Sequence, residues 1–159
     1  MPRPNWRILI ALLLTLAGCG EPRKSIFPPT VSIQQLEVRP DGVWHLILRI
    51  QNNSYTNMNF SAIEGQLKVS APVALRLHAR FDRDIPAFAG DVITLDLLPT
   101  REMSAVLAAM TRQGSAGSLT YTIHGTAQAL PHQEKTPRDF FFQSNEWLSP
   151  VPGIPGTFR

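Results

Sequence analysis

The stretch Trp44-His45-Leu46-Ile47-Leu48-Arg49-Ile50 decides the class of fold. Trp44, Leu46, Leu48 and Ile50 recur at every second position, with His45, Ile47 and Arg49 between them. That is the period of a strand with one buried face. Upstream, Val31, Ile33 and Leu36 outline a first strand whose alternation is imperfect, followed by a turn at Pro40-Asp41-Gly42. Downstream, Gln51 to Asn59 is rich in asparagine and reads as a loop. A third strand is expected over about Phe60 to Val69, with Gly65 marking a bulge. Leu75, Leu77, Ala79 and Phe81 then alternate with Arg76, His78 and Arg80 in a fourth. Asp82 to Gly90 reads as a connecting turn, and Ile93, Leu95 and Leu97 make a fifth strand.

One segment changes period. Met103, Val106, Leu107 and Met110 fall at i, i+3, i+4 and i+7, behind Thr100 as N-cap, with Glu102 in the first turn and Gly114 as the stop. Strand periodicity resumes at Leu119, Tyr121 and Ile123, and a last strand is expected over about Asp139 to Trp147. In the run Phe140-Phe141-Phe142, alternation sends Phe140 and Phe142 inward and leaves Phe141 out. The tail, 148–159, carries several prolines and glycines and reads as irregular or disordered. The expected fold is mainly β, an immunoglobulin/fibronectin-III-like antiparallel β-sandwich of about seven strands with one short helix before the sixth.

The whole chain has 159 residues, 43% apolar and 17% charged, which excludes a disordered polymer and favours one domain. A single cysteine excludes an internal disulfide framework and a Cys-rich zinc site. Fifteen Lys and Arg against twelve Asp and Glu give a net charge of +3. Arg3 and Arg7 supply two of those positive charges, in front of the apolar run Ile8 to Leu16. Nine residues cover roughly 14 Å as a helix, whereas a membrane span needs about 20 residues. This is the pattern of a secretory signal.

Leu16-Ala17-Gly18-Cys19 follows directly and resembles the lipobox of bacterial lipoproteins. That resemblance implies cleavage before Cys19, diacylglyceryl transfer to its sulfur and acylation of the new amine, so the chain would stay on a membrane. Gly20, in place of the Asp that marks inner-membrane retention, favours the outer membrane facing the periplasm. The expected organisation is a signal peptide over 1–18, a lipidated N-terminus and tether over 19–29, a sandwich over 30–147 and the tail. As a fully extended tether, 20–29 would let the domain stand up to roughly 30 Å from the lipid.

Leu46-Ile47-Leu48-Arg49-Ile50-Gln51-Asn52-Asn53, Ile63-Glu64-Gly65-Gln66-Leu67, Val92 to Leu97 before the helix and Leu119-Thr120-Tyr121-Thr122-Ile123-His124-Gly125 after it follow a recognisable order. This order resembles the late-embryogenesis-abundant type 2 family, also described as the water-stress and hypersensitive-response domain. Where that family carries Asn-Pro-Asn, this chain has Asn52-Asn53-Ser54. The resemblance implies a fibronectin-like sandwich with no catalytic residues, associated with desiccation or envelope stress and the protection of other molecules.

The sequence gives no positive case for an enzyme. Nucleophile elbow, glycine-rich phosphate loop and His-Glu-x-x-His motif are all missing. His45, His78, His124 and His132 show no metal-pair spacing, and Asp82, Asp84 and Asp91 read as turn residues, so no metal and no cofactor is expected. Arg76, His78 and Arg80, joined by His45 and Arg49, form a candidate basic strip for anionic lipid or lipopolysaccharide phosphates. The partners expected are a membrane, through the N-terminal lipid, and a protein client or an envelope assembly to which the domain is a structural accessory. Nucleic acid and a small-molecule substrate are not expected.

Overall fold

In a computed structural model that describes residues 22–70, 73–113 and 117–159, β1 (Thr30–Val38) and β2 (Trp44–Gln51) form an antiparallel hairpin. Its turn places Gly42 at φ +85°, and the Asp41 carboxylate accepts the Val43 N–H at 3.0 Å. The pairing shifts register between Ile33 and Gln35. That bulge accounts for the imperfect alternation of β1: Val31 and Ile33 point inward, one extra residue intervenes, and Leu36 points inward again.

The remaining elements are β3 (Met58–Val69), β4 (Leu75–Ile85), β5 (Gly90–Leu97), helix α1 (Arg101–Gln113), β6 (Leu119–Pro131), β7 (Arg138–Leu148) and β8 (Thr157–Phe158). One sheet has the order β5-β2-β1-β8 and the other β4-β3-β6-β7, with every pairing antiparallel. Trp44, Leu46, Leu48 and Ile50 of the first sheet are fully buried, as are Phe60, Ile63, Leu67 and Ile123 of the second. Each such side chain contributes about 1.5–3 kcal/mol of burial free energy. The result is the expected antiparallel β-sandwich with one helix between the fifth and sixth strands.

Four details differ from the expectation. There are eight strands among the described residues instead of seven, because the tail folds back: Leu36 and Glu37 pair with Phe158 and Thr157, and Phe158 is 1% exposed. Gly65 is not a bulge; the register shift in β3 lies between Phe60 and Ala62, which moves the buried phase from Met58 and Phe60 to Ile63 and Leu67. Asp82 and Asp84 belong to the extended end of β4 and Asp91 to β5, so the turn shrinks to the few residues between Ile85 and Gly90. Finally, β6 and β7 run longer than their apolar runs, pairing Leu119 with Leu148 and Ala129 with Arg138.

Helix α1 forms as its period requires. The Met103 N–H donates to the Thr100 hydroxyl at 3.3 Å, and Met103, Leu107 and Met110 are buried. The Glu102 carboxyl is held below its usual range by its own backbone N–H and by the Thr100 hydroxyl. Gly114 lies outside the described residues.

Antiparallel pairing gives the sandwich two distinct ends. One carries the β1–β2 turn, helix α1 and the C-terminal end of β7. The other carries the entering chain before Thr30, the β2–β3 connection, the β4–β5 turn and the β6–β7 connection.

Candidate functional site

The asparagine-rich β2–β3 connection is a buried hub. Asn52 and Ser54 are both fully buried. The Asn52 side-chain amide faces three carbonyl oxygens, of Thr56 at 2.9 Å, Ile85 at 3.0 Å and Pro86 at 3.1 Å. Its oxygen accepts the Ser54 N–H at 2.9 Å. The Asn52 N–H in turn reaches the Ala89 carbonyl at 2.9 Å. One side chain therefore fixes its own turn and ties it to the β4–β5 turn.

Ser54 extends the hub to the entering chain. Its hydroxyl accepts the Phe27 N–H at 2.9 Å and donates to the Phe27 carbonyl at 3.0 Å. The Tyr55 N–H donates to the Ser25 carbonyl at 3.0 Å, and Asn53 donates to the Pro28 carbonyl at 3.0 Å. Gln133 exchanges hydrogen bonds with the Lys24 main chain at 3.0 and 2.6 Å. The segment read as a free tether is thus fastened to the domain from Lys24 onward. The sequence showed an asparagine-rich loop, but nothing in its periodicity marked Asn52 and Ser54 as interior.

Arg76, His78 and Arg80 do share one face. They lie on β4, an edge strand, and are exposed on the outer face of their sheet opposite Gln66, Glu64 and Ala62. His78 Nδ1 is 3.3 Å from a Glu64 carboxylate oxygen. His45 and Arg49 do not extend the strip, because β2 belongs to the other sheet. His45 Nδ1 sits 2.6 Å from Asp96, which also holds Arg39 at 2.9 Å. The Asp96 carboxyl is lowered from its usual range, chiefly by the His45 hydrogen bond and also by Arg39.

The same outer face holds an open groove of about 820 Å³, bordered by Arg76 and Gln66 on one side and by His124, Phe141 and Gln143 on the other. Gly65 and Gly125 pair directly beneath it. A Cβ on Gly125 would come within 2.6 Å of the Gly65 Cα and would strike the Glu64 carbonyl oxygen. Only paired glycines let β3 and β6 approach this closely. Phe141 is 79% exposed beside the groove, while Phe140 and Phe142 are buried, as the alternation requires. The tail does not cover Phe141, since it is engaged with β1 on the other sheet.

The carboxylates read as turn residues are each engaged by a neighbouring side chain. Asp84 meets His132 at 2.9 Å and Asp91 meets Arg83 at 3.4 Å, while Asp82 accepts from Asn59 at 2.6 Å. Among the described residues no three His, Cys, Asp or Glu side chains gather as a metal site. Leu16, Ala17, Gly18 and Cys19 lie outside the described residues. No helix among the described residues is long and apolar enough to cross a membrane.

No family model matches the chain, and no curated protein matches it. Among solved structures, it is similar to a crystal structure of a protein from Archaeoglobus fulgidus at 10% identity and a TM-score of 0.38, covering 77% of this chain and 96% of that one. It is also similar to the solution structure of a protein from Arabidopsis thaliana at 7% identity and a TM-score of 0.46, covering 85% of each chain.

Proposed function

We propose that the protein is a lipid-anchored, non-enzymatic β-sandwich of the bacterial envelope, a stress-protective binding module of the late-embryogenesis-abundant type 2 kind. The observation that carries the anchor is Leu16-Ala17-Gly18-Cys19, placed directly after a short apolar run and containing the sole cysteine. The binding role is supported by the groove beside Phe141, where an exposed aromatic ring, Arg76 and His124 border an open surface over the paired Gly65 and Gly125. Such a surface suits an extended or partly unfolded polypeptide, with the ring contacting apolar side chains.

Two measurements test the reading. Radiolabelled palmitate is expected to enter the wild-type chain and not Cys19→Ala; label retained by the variant overturns the anchor. Suppression of aggregation of a dried or heated test enzyme is expected from the wild-type protein, and less of it from Phe141→Ser. A single stoichiometric envelope partner in a membrane crosslinking pull-down, with no suppression of aggregation, would instead establish a structural accessory of an assembly or transport complex.

A further inference from the structure

We propose that the end of the sandwich where the chain enters docks on a phosphate-bearing lipid surface through Phe27, Tyr55 and Phe88. The inference rests on reading Cys19 as the lipid-bearing residue. Phe27 lies in the entering segment, Tyr55 in the β2–β3 connection and Phe88 in the β4–β5 turn. Their rings nevertheless form one run, with centroids 6.3 Å apart for Phe27 and Tyr55 and 4.7 Å apart, edge to face, for Tyr55 and Phe88. They are 46%, 55% and 57% exposed, so a continuous aromatic surface faces outward at this end.

The backbone of Phe88 adds a second observation. Its φ is +59°, a left-handed conformation that costs a non-glycine residue about 1–3 kcal/mol. The turn is held by Gln51, whose amide donates to the Phe88 carbonyl at 2.8 Å, and by the Ala89 N–H on the Pro86 carbonyl at 3.1 Å. Burial of the ring does not offset that cost, because more than half of it is in water. A strained position that presents an exposed phenyl ring is accounted for by what the ring meets outside the chain.

Chain length fixes what lies opposite. Lys24, Ser25 and Phe27 are hydrogen-bonded to the domain, so the link from Cys19 ends at Lys24. Five residues reach at most roughly 17 Å when fully extended. Acyl chains on Cys19 therefore hold Lys24, and with it this end of the sandwich, within that distance of the interface. Tyrosine, with an apolar ring and a polar tip, belongs in such an interfacial layer, and the two phenyl rings add apolar surface beside it.

Charge agrees. Of the acids at this end, Asp91 and Glu134 are paired with Arg83 and Arg138, Asp84 meets the His132 ring and Asp82 accepts from Asn59, while Asp139 has no ion-pair partner among the described residues. Arg23, Lys24 and Lys135 have no ion-pair partner among the described residues. Free cations of this kind favour anionic headgroups.

The test uses the chain from Cys19 to Arg159, which contains every element described. Its single thiol is coupled to a maleimide-headgroup lipid in phosphatidylethanolamine–phosphatidylglycerol vesicles. Coupling supplies the anchor chemically, so docking is measured independently of cellular acylation, which is read from the mass of the N-terminal peptide of membrane-isolated protein. The wild type keeps Trp44 and Trp147, paired with Leu97 and Thr120 at the opposite end. Tyr55→Trp adds a reporter within the cluster. Brominated acyl chains are expected to quench this reporter and to leave wild-type emission unchanged. Adding Phe88→Gly, which removes the ring and relieves the backbone, is expected to remove most of the quenching, as is adding Phe27→Ser. A reporter no more quenched than the wild-type tryptophans overturns docking, even with acylated Cys19. Quenching that survives both ring removals overturns the role of the cluster. An unmodified N-terminal peptide beside a quenched reporter overturns the cellular anchor and supports docking.

Discussion

The Tyr121 hydroxyl bridges the two sheets by accepting the Ile33 N–H at 2.9 Å. Tyr121 belongs to β6 and Ile33 to β1, next to the bulge that interrupts β1 pairing. The same hydroxyl donates to Glu146 at 2.9 Å. Burial pushes the phenol well above the usual tyrosine range, and Glu146 adds to the rise.

Burial of this phenol gives a stability signature at high pH, although the bond from the Ile33 N–H by itself favours the ionised form. The unfolded phenol ionises near pH 10, about where free tyrosine does, while the folded one keeps its proton. The folded state then holds more protons than the unfolded one, so stability falls as pH climbs past that point, by up to about 1.4 kcal/mol per unit. Thermal melts across this range should show the decline, and Tyr121→Phe should flatten part of it. At neutral pH the variant should lose about 1–3 kcal/mol, because the buried Ile33 N–H is left without an acceptor.

Asn52→Ala should destabilise the protein by at least about 2 kcal/mol, since it removes the donor facing three carbonyls and the acceptor of the Ser54 N–H. Hydrogen exchange should show the opening where the hub reaches, at Phe27, Tyr55 and Ala89. Equal protection of these amides in the variant would contradict the account.

Gly125→Ala and Gly65→Ala should each cost about 3 kcal/mol or more, because the added methyl meets main-chain atoms of the paired strand that cannot move aside. Denaturant unfolding with an unchanged m-value and a lowered midpoint is the expected result. Gly42→Ala should act through its positive φ alone, with nothing within 4 Å of the new methyl, and should cost less.

Phe158→Ala should lower stability by about 3–5 kcal/mol, as expected for a buried ring removed from a core. A melting temperature unchanged by this substitution would show that the tail strand is dispensable.

The sequence made the strands legible wherever apolar residues alternate without interruption, as in β2 and the first half of β4. It made α1 legible through Met103, Val106, Leu107 and Met110, whose spacing no strand can share. The bulges were harder to assign. The slip from Ile33 to Leu36 was visible but had no unique cause, and Gly65 suggested a bulge where close strand approach is the reason for glycine. β8 was hidden because two residues have no period, and proline and glycine around them signal only that the chain turns. The polar end of β4 was hidden because its pairing comes from the neighbouring strand, and the end of β6 because its inward residues, Ala127 and Ala129, are too small to mark a strand. Of the candidate surface, Arg76, His78, Arg80 and Phe141 were readable from alternation. The cluster of Phe27, Tyr55 and Phe88 was not, since three separate connections bring those rings together.

The pairing of β1 with β8 joins the first of the described strands to the last of them. A chain made from its N-terminus, or threaded through a channel in that direction, cannot complete this sheet until Thr157 and Phe158 have emerged. Until then the outer edge of β1 lacks its partner and the core lacks a phenyl ring. Native closure therefore waits for Thr157 and Phe158, and a chain stopped short of them keeps an open strand edge on which chaperones can act.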